Sequence, residues 1–192
     1  MASKTGWVVM DDNKLIEKGL VKPDKAPAGT FEGIIQDYEY VDRANEMATY
    51  LKEIVKKHKP DFIWIEQTNA GSFRSTQKFL EFIHCCVLLQ VRYIGYGPKV
   101  RYVDTSAWRS YLGIRMKKED SKHNKLVKQN LAKGKITPKH LAVRWANETY
   151  DLELKQKDHD IADAIAVATY GYAREKMNAV ESKTPDFSKA FK

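Results

Sequence analysis

The sequence predicts one α/β domain: a mixed sheet with helices on its faces. Three observations predict it: a hairpin pattern opens the chain, a short apolar run at 62–65 and the segment 100–103 read as strands, and helical patterns separate and follow them. At 192 residues the chain is long enough to bury one core and too short for two ordinary domains.

Gly6-Trp7-Val8-Val9-Met10 and Leu15-Ile16-Glu17-Lys18-Gly19-Leu20-Val21 flank Asp11-Asp12-Asn13-Lys14, whose Asp and Asn suit a tight reversal between two strands. That reversal accounts for both aspartates. The Pro, Asp and Gly content of 23–29 predicts a loop, and a helix runs from Tyr38 to His58 before Pro60 stops it, with Val41, Ala44, Ala48, Leu51 and Val55 at helical spacing. Phe62-Ile63-Trp64-Ile65 is a continuous apolar run of the kind a strand buried on both faces carries, and it ends on Glu66. After the polar loop 67–72, Phe79, Leu80, Phe82, Ile83, Cys86, Val87 and Leu89 make a helix apolar around more of its circumference than one core face requires.

Val100-Arg101-Tyr102-Val103 is a further strand, and a short helix follows from Thr105 to Leu112, capped by Thr105 or Ser106. A helix from Lys122 to Lys133, a break at Gly134 and a helix opening on Pro138 come next. The last helix runs from Asp160 to Lys176 with Ile161, Ala164, Ile165, Ala168 and Tyr172 on one face. The domain is therefore expected to span 1–176, with 177–192 a polar, loose tail.

A hydrophobic share of 43% against 30% charged residues excludes a disordered polyelectrolyte. No apolar run reaches the roughly 18 residues of a spanning helix and no signal pattern opens the chain, so a cytoplasmic protein is expected. Cys85 and Cys86 read as buried free thiols. The net charge is +8, and the segment from Arg115 to Arg144 alone holds ten Lys or Arg against two acids, which equals the whole excess. A solvated helix face would interleave both signs, and this one hardly does. Lys117, Lys118, Lys122, Lys125 and Lys128 are therefore candidates for phosphate contact.

Three carboxylates stand out. Glu66 closes an apolar strand at its carboxyl end, where open α/β sheets place ligand crevices; the alternative is a solvated Glu. Asp160 and Asp163 open the last helix three residues apart, on one face, where free backbone amides favour negative charge. An N-cap and a first-turn acid would explain that pair alone. Neighbouring, partly buried carboxylates repel and need a cation, and an oxygen-only donor set points to Mg²⁺ or Mn²⁺ rather than zinc. His159 reads either as support for this cluster or as a surface partner of the acids beside it. In the loop after Glu66, Thr68, Asn69, Ser72, Arg74 and Ser75 are candidates to hold phosphates, and Phe73 to wedge into nucleic acid; ordinary loop, cap and anchoring roles are the alternatives.

In three stretches the sequence resembles the RuvC-type Holliday junction resolvases of the RNase H-like superfamily. Ser3-Lys4-Thr5-Gly6-Trp7 resembles the turn after that family's first strand, Phe62 to Glu66 its strand ending in a catalytic Glu, and Asp160 to Ala168 its final helix with two acids three apart. Trp108-Arg109 and Leu112-Gly113-Ile114 resemble phage-type members. The resemblance implies an RNase H-like sheet, a homodimer acting on branched DNA, and two Mg²⁺ (or Mn²⁺) ions held by four carboxylates, of which Glu66, Asp160 and Asp163 match three. The fourth is expected from an Asp ending the family's first strand, just before the segment matched by Met1 to Trp7, so that strand is expected to be missing or truncated. Met1 would then be an internal methionine; an inactive protein is the other explanation. The broadly apolar helix from Phe79 to Leu89 fits the dimer contact. Two rival functions share these motifs: a junction-binding protein that does not cut, and an RNase H-like nuclease acting on RNA.

Overall fold

The computed structural model describes residues 4–23, 35–68 and 74–181. The order is β1 (Thr5–Asp11), β2 (Lys14–Val21), α1 (Ile35–His58), β3 (Ile63–Glu66), α2 (Arg74–Tyr93), β4 (Val100–Val103), α3 (Thr105–Tyr111), α4 (Lys118–Lys128), α5 (Pro138–Tyr150) and α6 (His159–Glu181). The β1–β2 turn forms as expected: Asp12 and Asn13 take positive φ of 45° and 62°, angles that short polar side chains tolerate.

Among the described residues the strands form two separate pairs, antiparallel β1–β2 and parallel β3–β4. α6 ties the pairs together. Gly6 of β1 lies so close to the Asp160 backbone that any Cβ would collide with it, whereas Thr169 and Tyr172 reach Met10 and Asp12 at the strand's other end. β1 therefore runs along α6 in the helix's own direction. β3 runs the opposite way, since Trp64 lies against Gly171 and Tyr170 while Glu66 reaches the level of Asp163. The start of β1 and the Glu66 end of β3 thus meet at the start of α6.

The two faces of β3 are covered differently. Ile63 and Ile65 join the α1–α2 core around Tyr40, Met47, Phe79, Ile83 and Val91, whereas Trp64 joins Trp108, Leu141, Ala166 and Val167 on the α6 side. A third cluster seats the hairpin residues Val8, Met10, Leu15 and Leu20 on α5 and α6. β3 is nevertheless half-buried rather than fully buried, because one of its edges has no strand partner among the described residues.

Several expectations need correction. Val41 of α1 is exposed, and Tyr40 and Met47 take the core positions. Cys85 is exposed and Cys86 half-buried, because Phe79, Ile83, Val87 and Val91 define the face of α2 that meets α1. Asp104, not Thr105 or Ser106, caps α3 by accepting the Ser106 amide at 2.7 Å. α4 starts at Lys118 and ends at Lys128, earlier at both ends than the sequence pattern suggests, because Asp120 accepts the Lys117 amide at 2.9 Å and Asn130 turns the chain out at φ 60°. α6 continues past Lys176 to Glu181. No helix among the described residues is long and apolar enough to cross a membrane.

Asp120 is a buried acid that fixes α4 to α5 through two bonds from Arg144, at 2.9 and 3.3 Å. Arg144 and the Lys117 amide hold its carboxyl below the usual Asp range. A lowered folded-state value means stability that is present above the unfolded pKa, near 3.8, and lost as pH falls through the folded one. Asp120→Asn is expected to lower the melting temperature at pH 7, with the difference from wild type shrinking below pH 3.8; an equal difference at low pH would assign the loss to packing rather than charge.

Candidate active site at the end of β3

β3 delivers Glu66 to the end of the sheet, and the first turn of α6 delivers Asp160 and Asp163 to the same place. The alternation of β3 turns Glu66 to the α6 side with Trp64. Thr105, the first residue of α3, donates its hydroxyl to Glu66 Oε1 and fixes that carboxylate. Asp163 stands where a negative charge is least favoured: burial, then the Glu66 charge beside it, push its carboxyl up to about 7, with Arg109 opposing and Asp160 adding to the rise. Its Oδ1 is buried and accepts no hydrogen bond among the described residues. An orphaned carboxylate oxygen facing two other acids is what a cation would relieve.

Cations from the chain itself already approach the cluster. Lys4 Nζ lies 3.1 Å from Asp160 Oδ2 and donates to the Lys157 carbonyl at 2.6 Å. Arg109 lies over the Trp108 ring with Nη2 3.9 Å from Asp163 Oδ1. Lys139, in the first turn of α5, stands 3.1 Å from His159 Nε2, and His159 Nδ1 lies 2.9 Å from Asp160 Oδ1. Burial holds the His159 pKa below its ordinary value; Asp160 opposes that shift, and Lys139 and Lys4 reinforce it. With Asp160 turned to Lys4 and His159, no three His, Cys, Asp or Glu side chains among the described residues converge closely enough to hold an ion as they stand. A bound ion would compete with Lys4 and Arg109 for these carboxylates.

The three sequence-selected carboxylates are thus neighbours in space, though they do not form a closed cage. Sequence reasoning gave Lys4, Thr105 and Lys139 no role at the site: Lys4 and Arg109 stood only inside family-like strings, Thr105 as a helix cap and Lys139 within the basic segment. Nothing in local periodicity marks them; a polar or charged side chain near a strand end or helix start is the only signal. The predicted phosphate contacts Lys117, Lys118, Lys122, Lys125 and Lys128 are all exposed, and α5 links their helix to the site, since it carries both Arg144 and Lys139. Lys118, Lys122, Lys125 and Lys128 make no ion pair with the described residues. Asn69, Ser72 and Phe73 lie outside the described residues; Arg74 and Ser75 belong to α2 with side chains that also lie outside them.

No protein-family model matches the chain, and no curated protein matches it in sequence. Among solved structures it is similar to Thermus thermophilus RuvC, with a TM-score of 0.57 and 12% identity over 91% of this chain and 90% of that one. A second structure, T. thermophilus RuvC in complex with Holliday junction substrate, aligns with a TM-score of 0.47 and 13% identity over 85% of this chain and 81% of that one. The fold is RuvC-like, an RNase H-like α/β arrangement.

Proposed function

We propose that the chain is a cytoplasmic, divalent-metal-dependent endonuclease of branched DNA, cutting four-way junctions as a homodimer with one site for each of two strands. The observation that carries this reading is the meeting of Glu66, Asp160 and Asp163 at one end of the sheet, with Asp163 Oδ1 buried and accepting no hydrogen bond among the described residues. Trp108-Arg109 and Leu112-Gly113-Ile114 support a place near phage-type members.

Glu66, Asp160 and Asp163 would hold one Mg²⁺ or Mn²⁺, and two ions once a fourth carboxylate joins them; the metal would supply an activated water and stabilise the departing oxygen. The chain's own groups prepare the site. Thr105 keeps the Glu66 carboxylate aimed at the α6 side, and Trp108 carries Arg109 to Asp163. Lys4 and Lys139 place positive charge beside the acids, where a phosphate would displace their present partners. α4 offers a row of lysines to the duplex arms. For the dimer, α2 presents Leu88, Leu89 and Tyr93 outward, with Cys85 beside them. The test is cleavage of a four-way junction against a linear duplex of the same sequence, and against an RNA–DNA hybrid, in Mg²⁺ and Mn²⁺. Junction cleavage alone supports the reading, and hybrid cleavage alone supports the RNA nuclease instead.

A second reading, a junction-binding protein that does not cut, is favoured by one feature: Lys4 and Arg109 already approach Asp160 and Asp163, and no closed metal cage forms among the described residues. It predicts junction binding with no metal-dependent cleavage.

Neutralising Lys117, Lys118, Lys122 and Lys125 together is expected to weaken junction binding and flatten its salt dependence, by roughly 0.9 in log–log slope for each phosphate that is no longer neutralised. A slope equal to wild type would move the footprint away from α4.

A further inference from the structure

Beyond the carboxylates, a second recess opens at the same strand end. Gln67, Thr68, His84 and Tyr102 line an open depression of about 410 Å³. It lies on the other side of the sheet from the acids. Glu66 shares the α6 face with Trp64, whereas Ile65 and its register partner Tyr102 face α2, which supplies His84. Gln67 follows Glu66 directly, and its amide bonds the Val103 carbonyl at 2.8 Å, so the chain there is held while the side chain stays exposed.

The chemistry of the lining is specific. None of the four side chains makes a hydrogen bond to another described residue, so an amide, a hydroxyl, an imidazole and a phenol converge with their hydrogen-bonding groups uncommitted to that part of the chain. The His84 and Tyr102 rings stand 5.6 Å apart at 43°, forming an aromatic corner. Burial keeps the His84 pKa low, and no Lys or Arg among the described residues lines the recess, so this lining offers no charge to a phosphate. An apolar occupant would leave these four polar groups without a partner from the described residues. A flat, uncharged heterocycle with donors and acceptors on its edge satisfies both the rings and the polar groups.

We propose that this recess holds an unpaired nucleobase of the strand whose phosphate lies at Glu66, so that Gln67 and Tyr102 set which base stands beside the cut. The inference rests on the branched-DNA part of the function proposed above. The strand end then divides the nucleotide, with phosphate on the α6 face and base on the α2 face.

The full chain, without divalent metal so that no cleavage intervenes, is mixed with four-way junctions that carry 2-aminopurine at successive positions about the branch point, and with junctions randomised there. The wild type is expected to change 2-aminopurine fluorescence at one position and to prefer one base at that position. Gln67→Ala, a change at an exposed side chain, is expected to reduce that preference by about tenfold, the discrimination typical of one paired donor and acceptor on a base edge. Tyr102→Ala is expected to abolish the fluorescence change while junction affinity stays within a few-fold. If both variants bind with wild-type affinity and keep the base preference and the fluorescence signal, the recess is not a base site and the branched-DNA reading survives. If the wild type binds the junction no better than linear duplex, that reading falls and this inference with it.

Discussion

Glu66→Gln and Asp163→Asn are each expected to abolish metal-dependent cleavage of a four-way junction while leaving junction binding intact or tighter. The amide keeps the shape of the side chain and removes the charge that would hold a cation. Removing groups that merely orient metal ligands costs 10–100-fold, so removing a ligand is expected to cost more than about a hundredfold. Tighter binding follows because the carboxylates repel the phosphates they serve. Asp163→Asn carries a second, opposite signature. Its carboxyl is raised to about 7, chiefly by burial and by Glu66. A raised folded-state value means relative stability that is full below the unfolded pKa and lost as pH rises through about 7, so at pH 8 without metal the amide is expected to melt higher than the wild type. A variant that is more stable and less active separates a site residue from a structural one. Wild-type cleavage by Glu66→Gln would remove Glu66 from the mechanism.

Supplying an apolar strand that ends in Asp, fused ahead of Met1, is expected to raise junction cleavage by orders of magnitude and the melting temperature by several degrees. The reason lies in the sheet. β1 and β3 run in opposite directions along α6, and each has an edge without a strand partner among the described residues. A strand between them would be antiparallel to β1 and parallel to β3, and its carboxyl end would fall beside Glu66, Asp160 and the start of β1. Its backbone groups would satisfy both open edges, and each kcal/mol gained is worth roughly 2–4 °C in a chain of this size. Its Asp would supply a fourth carboxylate, without which three acids hold one ion and fix a second poorly. Both effects are expected together. Full cleavage by the 192-residue chain with no gain from the added strand would show that another residue completes the site.

Much of this was legible in the sequence, for local reasons. The hairpin is written in Asp12-Asn13, β3 in its apolar run, β4 in its paired valines and tyrosine, α5 in Pro138 and α6 in its alanine-rich stripe. Glu66 and the Asp160–Asp163 pair declared themselves by position at a strand end and a helix start. What escaped depends on tertiary contact. Tyr40 and Met47 displace Val41 because α2 approaches α1 from that side, and Asp120 belongs to Arg144 on another helix rather than to solvent. Lys4 precedes β1 while Thr105 and Lys139 open two different helices, and no periodicity brings them to the acids. The recess beneath Gln67 depends on which way Tyr102 and His84 face, and strand register and helix phase fix that only after folding.

Mn²⁺ binding to the 192-residue chain, followed by electron paramagnetic resonance, decides whether Glu66, Asp160 and Asp163 form a divalent-cation site. One saturable ion per chain is expected, with affinity reduced at least about tenfold in Asp163→Asn and in Glu66→Gln. Absence of saturable binding, or equal binding by wild type and both variants, would refute the site.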